Sequence, residues 1–261
     1  MQLNYHRAGS GPTLVLLHGI GSQWQVWAPV IGRLARERDV IAVDLPGFGA
    51  SPAPPPGTPP GPASLAALVA GFLRDELGVE RPHVAGNSLG GWISLELAKQ
   101  ERVRSATVLS PAGFHNHWEA RFQRASLRAA RRGAQLLADR ADAVVATPVG
   151  RALATGQFVA KPAWLPAAGA AESLRALAGC QWFDDTLAAI TSEPFRGGAE
   201  IRVPVTIAWG EKDRLLLARQ APRAAQQVPS ARMVTLYGCG HVPTFDDPEQ
   251  VASVLLQGSA E

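Results

Sequence analysis

The chain has 261 residues, of which 46% are apolar and 18% charged, and its formal charge is +3. That size and apolar share suit one α/β domain with a sizeable core and exclude a disordered or fibrous chain. The charge is too small to argue for nucleic-acid binding, and two cysteines, Cys180 and Cys239, are too few for a disulfide scaffold.

Taken in chain order, Leu3-Asn4-Tyr5-His6-Arg7 alternates weakly and predicts a short edge strand. Thr13-Leu14-Val15-Leu16-Leu17 is short, continuously apolar and bounded by turn residues, the pattern of a strand buried on both faces of a parallel sheet. His18-Gly19-Ile20-Gly21 closes it, and Ser22 is placed to cap a helix over 22–38 with Trp24, Trp27 and Leu34 facing inward. Val40-Ile41-Ala42-Val43 is the next buried strand, followed by the breaker-rich Asp44-Leu45-Pro46-Gly47-Phe48-Gly49. Residues 51–62 are dense in proline and glycine and predict a surface loop. A helix over 63–77 leads to the strand His83-Val84-Ala85, and 103–109 is a further strand ending at Ser110-Pro111-Ala112-Gly113.

The rhythm then breaks. Residues 114–198 hold no strand-like run and read as a helical insertion. Val203-Pro204-Val205-Thr206-Ile207-Ala208-Trp209 restores the strand pattern. A helix over 216–228 and a strand at Arg232-Met233-Val234-Thr235-Leu236 follow. The last helix starts with Asp247 as cap and Pro248 at its first position. Alternating strands and helices imply a doubly wound, mainly parallel sheet, 1–113 with 199–261, interrupted by a helical lid over 114–198. In such sheets, sites form at the carboxyl ends of the strands.

Gly86-Asn87-Ser88-Leu89-Gly90-Gly91 fits the G-x-S-x-G nucleophile elbow, in the strand–turn–helix setting that the motif needs. A serine hydroxyl is a poor nucleophile until a base takes its proton and a third group orients that base. His241, in Gly238-Cys239-Gly240-His241, is the candidate base, and Asp213, in Gly210-Glu211-Lys212-Asp213, its orienting acid. The order Ser–Asp–His matches this architecture. The backbone N–H groups of Leu89 and Ile20 are the candidate oxyanion-hole donors.

Five motifs in order, His18-Gly19-Ile20-Gly21, Asp44-Leu45-Pro46-Gly47-Phe48-Gly49-Ala50-Ser51, the elbow, Trp209-Gly210-Glu211-Lys212-Asp213 and Gly240-His241-Val242-Pro243, resemble the α/β-hydrolase superfamily. The resemblance is strongest to its single-domain esterases and C–C hydrolases. It implies an eight-stranded-type sheet, a cap domain at 114–198 that shapes the substrate pocket, and structural roles for His18 and Asp44. It implies a serine hydrolase of carboxylic esters, lactones or thioesters. The same triad also serves C–C bond hydrolysis or cofactor-free perhydrolysis, and some members of this fold are ligand receptors.

Trp118, Phe122, Trp164 and Trp182 in the insertion, with Trp24 after the first buried strand, are the candidate substrate-binding side chains for a small molecule with an apolar portion. Arg121, Arg124, Arg128, Arg131 and Arg132 form one basic helical face, expected to be solvated. No cofactor is implied: the sequence holds neither a P-loop nor a dinucleotide glycine pattern in a suitable context. The cysteines lack metal-ligand spacing, so no metal is expected either. Residues 1–7 lack a charged-then-apolar signal pattern, and no apolar run approaches the roughly 18–20 residues that span a bilayer. The expectation is a cytoplasmic protein.

Overall fold

The computed structural model describes residues 1–260. The first strand, β1 (Tyr5–Ala8), lies at the sheet edge. It precedes β2 (Thr13–Leu17), a 3-10 turn at Trp24–Trp27, helix α1 (Ala28–Leu34) and β3 (Asp39–Val43). Helix α2 (Pro62–Leu77), β4 (His83–Asn87), α3 (Leu89–Lys99) and β5 (Ser105–Leu109) complete the first half. Between β5 and the next strand run α4 (His117–Leu137), α5 (Ala141–Val145), α6 (Pro148–Thr155), α7 (Ala167–Gly179) and α8 (Phe183–Ser192), the helical insertion. The chain closes with β6 (Val205–Gly210), α9 (Ala221–Gln227), β7 (Arg232–Leu236) and α10 (Pro248–Gly258).

The seven strands form one sheet in the order β1-β3-β2-β4-β5-β6-β7, parallel except for β1 against β3. Among the described residues the sheet has seven strands, not the eight implied by the resemblance, because one strand alone precedes β2. Strands β3, β4, β5 and β6 are buried along their whole length, so both faces must be apolar. One face packs on α2, α3 and the insertion, the other on α1 and α10. Register aligns Leu17 with Gly86, Gly86 with Val108 and Val108 with Ile207. The loops after β2, β4 and β6 therefore leave at one edge.

The predicted helix over 22–38 is shorter than expected. Ser22 donates its N–H to the Gly19 carbonyl instead of capping, and the helix proper begins at Ala28 with Pro29 in its first turn. Helix α4 has a start that the sequence reading passed over, a capping box in which Asn116 and Glu119 satisfy each other's backbone N–H. The arginine face of α4 is only partly solvated. Arg124 donates to Thr191 Oγ1 (2.9 Å), while Arg128 and Arg131 pair with Asp184, fastening α4 to α8.

Candidate active site

The elbow is dictated by two glycines. A Cβ on Gly86 would fall on the Gly90 carbonyl, and one on Gly90 would fall on the Leu17 carbonyl. Helix α3 can start so close to β2 and β4 only because both side chains are absent. Ser88 sits at the turn with φ 56° and ψ −113°, backbone that costs on the order of 1–3 kcal/mol for a non-glycine residue. It is held there by its N–H to the Leu109 carbonyl (3.0 Å), and its own carbonyl accepts from Trp92 and Ala112.

Asp213 lies just beyond β6. Its Oδ1 accepts the N–H groups of Leu215 and Leu216, both at 2.9 Å, which fixes the carboxylate plane. Its Oδ2 is 2.7 Å from His241 Nδ1, and both side chains are buried. A carboxylate can only accept here, so Nδ1 carries the proton and Nε2 is left with a lone pair. His241 and Ser88 line one cavity. Asn87, the residue before the serine, donates from Nδ2 to the Leu109 carbonyl (3.0 Å) and the His241 carbonyl (2.9 Å), tying the two loops together. At a helix start the Leu89 N–H has no intrahelical acceptor. Among the described residues, no hydrogen bond is formed by it or by the N–H of Ile20.

His18 is occupied elsewhere. Its Nε2 accepts the Leu45 N–H (3.0 Å), so Nδ1 is protonated and donates to the Gly19 carbonyl (2.7 Å). Complete burial pushes its pKa down, so the ring stays neutral. Asp44 accepts from Asn4 Nδ2 and from the Trp24 and Ala50 N–H groups, and so orders its own loop. Burial raises the thiols of Cys180 and Cys239 to about 11 and about 12, so neither is a ready nucleophile.

Asp246 carries no motif that sequence reasoning could read. It is buried, and its Oδ2 accepts the N–H groups of Gly240 (2.8 Å) and Ala160 (2.9 Å) while Oδ1 accepts that of Lys161 (2.8 Å). The Val242 N–H donates to the Phe158 carbonyl (2.8 Å). One carboxylate thus joins the His241 loop to the insertion. The sequence signal was an aspartate five residues after the candidate base, with a second, Asp247, already explained as a helix cap.

The cavity measures about 500 Å³. Gly19, Ile20, Ser88 and His241 form its base. Leu127, Ala130 and Ala134 of α4, Phe158, and Leu174 and Leu177 of α7 form much of its wall. No Lys, Arg, Asp or Glu is among the lining residues. The polar side chains in the wall are spent on neighbours: Thr155 and Ser173 donate to carbonyls one turn back, and Gln157 donates to Ser126 Oγ. The space is neutral and apolar. No group of three or more His, Cys, Asp or Glu among the described residues is arranged to hold a metal ion.

None of the five aromatic residues expected to bind substrate lines this cavity. Trp118 (73% exposed) and Phe122 fall off the buried stripe of α4, which runs through Ala120, Gln123, Leu127 and Ala134. Trp164 (80% exposed) stands beside Lys161. Trp24 stacks on His6 with ring centres 4.6 Å apart, because the 3-10 turn swings it to the β1 edge. Trp182 covers Gly47 and lines a separate cleft between α7 and the core loops. The wall is aliphatic apart from phenylalanines such as Phe158, and its signal was the 127/130/134/137 stripe of α4.

A doubly wound sheet with a nucleophile elbow at its carboxyl edge and a helical insertion after β5 defines the α/β-hydrolase class of fold. The sequence model of the Alpha/beta hydrolase family matches residues 14–254, and the chain belongs to that family. A protein named as a carbamate hydrolase, RutD, from Pseudomonas savastanoi pv. phaseolicola is 29% identical over 256 residues, covering 94% of this chain and 92% of that one. Epoxide hydrolase EphH of Mycobacterium tuberculosis is 30% identical over 188 residues, covering 69% and 87%. The enol-lactonase of Burkholderia xenovorans LB400 has a similar structure, with a TM-score of 0.78 at 21% identity over 99% of this chain and 96% of that one. The chain is thus similar to hydrolases in sequence and in fold. No helix among the described residues is long and apolar enough to cross a membrane.

Proposed function

We propose that this hydrolase cleaves carboxylic esters, including lactones and thioesters, whose acyl or alcohol part is uncharged and apolar, through an acyl-enzyme on Ser88. Ser88 Oγ attacks the carbonyl carbon as His241 Nε2 takes its proton. The oxyanion is held by the N–H groups of Ile20 and Leu89, each such donor worth about 10²–10³ in rate. The tetrahedral species collapses, and His241 returns the proton to the leaving alcohol or thiol. Water, deprotonated by His241, then attacks the acyl-enzyme and releases the acid. Asp213 holds the imidazole in the tautomer this needs and offsets its charge. Residues 114–198 act as the cap that shapes the acyl site.

The observation that carries the reading is the 2.7 Å contact of His241 Nδ1 with Asp213 Oδ2, beside a cavity that His241 shares with the strained Ser88. The uncharged wall supports the choice of substrate class, since nothing there would offset a substrate carboxylate. Epoxide opening, named for one relative, fits poorly. A serine would form an ether, which water does not readily hydrolyse, whereas ester hydrolysis regenerates the hydroxyl.

The test is a fluorophosphonate probe with peptide mapping, run beside hydrolysis of p-nitrophenyl butyrate. Labelling of Ser88 that blocks butyrate turnover is expected. Fast cleavage of a vinylogous diketone with negligible ester turnover would reassign the reaction to C–C hydrolysis, and a folded protein that never labels would point to a receptor.

A further inference from the structure

We infer that the insertion docks on an anionic lipid surface through an apolar collar around the cavity mouth, so that acyl substrates pass from the lipid directly to Ser88. The docking stands on its own; the passage of substrate rests on the ester-hydrolase reading above.

Leu137 and Leu153 line the cavity and are also exposed, Leu153 to 83%. They therefore mark where the cavity meets solvent. Leu136, 85% exposed, adjoins Leu137 at the end of α4, and Val149, also exposed, lies one turn before Leu153 on the same face of α6. Trp164 is exposed in the 3-10 turn Pro162–Trp164, which Arg151 of α6 fixes through the Ala163 carbonyl (3.0 Å). Large exposed apolar side chains on the adjoining elements that frame one opening mark an interaction surface, whereas scattered ones need no explanation.

Charge selects the partner. Residues 117–164 hold seven Arg and one Lys against Glu119, Asp139 and Asp142, a net of +5, while the whole chain carries +3. The rest of the molecule is therefore net −2. Within this segment Glu119 is already paired with Arg219 and Arg223, and Asp142 with Arg175. Arg128 and Arg131 lean on Asp184 of α8. Arg132 and Arg140 stand four residues before and after Leu136, are exposed, and form no ion pair among the described residues. Long cationic side chains flanking exposed leucines suit a surface with anionic headgroups above an apolar layer. A second copy docked collar to collar would bring two +5 segments together, which disfavours a dimer there.

The experiment is co-sedimentation with phosphatidylcholine vesicles, with and without phosphatidylglycerol, for the wild type, L136S/V149S and R132E/R140E. None of these four residues lines the cavity. Binding to the anionic vesicles that weakens with salt is expected, and each double variant should lower the partition coefficient by about tenfold or more. Turnover of dissolved p-nitrophenyl butyrate should be unchanged in both variants, while turnover of a vesicle-borne ester should fall with binding. Circular dichroism melts check that each variant is folded. The proposal is overturned if folded variants bind vesicles like the wild type, or if the wild type does not bind. It is also overturned if light scattering finds a dimer that L136S/V149S converts to monomer. Vesicle binding without any ester turnover would sink the catalytic reading and leave the docking standing.

Discussion

The base and the wall of the cavity are built on different principles. At the base the groups around Ser88 are fixed by directed hydrogen bonds. His18 uses both ring nitrogens, Asn87 bridges two loops, and Asp213 and Asp246 each accept backbone N–H groups. A buried polar group left unpaired costs about 1–3 kcal/mol, so these atoms have few alternative positions. The wall is held by non-directional burial of Leu and Ala from α4, α6 and α7 and of Phe158. Volume-conserving exchanges there cost little. In the proposed enzyme, the base would set which bond breaks and the wall which molecule fits. The two should respond to mutation in opposite ways.

The largest effect is expected at the base. Ser88→Ala should lower kcat for p-nitrophenyl butyrate by about 10⁴-fold or more. Its melting temperature should match or exceed that of the wild type, since alanine removes no hydrogen bond that the serine hydroxyl makes among the described residues. Kinetics and a thermal melt on the same preparation check both. A variant retaining a tenth of the activity would break the assignment of chemistry to this edge of the sheet.

Asp246 tests whether base and wall are separable at all. In Asp246→Asn a single oxygen must serve three N–H donors, and the new amide donors face some of them. The His241 loop and the 158–161 segment should loosen together. The expected outcome is a fall in kcat of roughly 10–100-fold, with KM also rising, because positioning and pocket shape change at once. Stopped-flow separation of acylation from binding measures the split. A pure kcat effect would confine Asp246 to the base.

Gly133 tests the wall alone. It lines the cavity, and a Cβ built on it meets no atom within 4 Å. Gly133→Leu should fill that space and lower kcat/KM for p-nitrophenyl octanoate by about tenfold relative to acetate. Leucine is also the better helix former by about 0.8 kcal/mol, so stability should rise slightly. Chain-length profiles of the two proteins decide the matter. An unchanged octanoate-to-acetate ratio would move the acyl site away from α4.

The two regions also differ in how far the sequence discloses them. The arrangement at the base was legible because the proposed chemistry needs particular residue types at particular offsets. The glycines at 86 and 90 exclude side chains that backbone would strike, Asp213 follows the buried strand β6, and His241 follows β7 in a glycine-rich loop. The wall was not. Aromatic side chains such as Trp118 and Trp164 stand out in a sequence by size, but whether one faces a cavity depends on helix rotation and packing partners that local patterning leaves open. The small residues that leave the space, Ala130, Gly133 and Ala134, carry no chemical signature. Asp246 was hidden for a different reason: its partners are backbone N–H groups 86 residues away, invisible to any motif.

The smallest effect separates the base as a folded framework from the base as a catalyst. His18 and His115 are both pushed below the ordinary imidazole value of 6.5, in each case chiefly by burial. The unfolded chain therefore takes up protons near pH 6.5 that the folded chain refuses. Their contribution to stability is present above that pH and is lost as the pH falls below it, by at most about 1.4 kcal/mol per pH unit for each ring. Urea melts at pH 7.5, 6.5 and 5.5 should show most of the loss in the lower interval. His18→Gln keeps one donor and one acceptor but cannot titrate, so its stability should fall less steeply between pH 6.5 and 5.5 whatever its absolute stability. An identical slope in that variant would mean that His18 protonates without unfolding the protein. The hydrogen bond from the Leu45 N–H, which needs an unprotonated Nε2, would then be dispensable to the loop that carries Ile20.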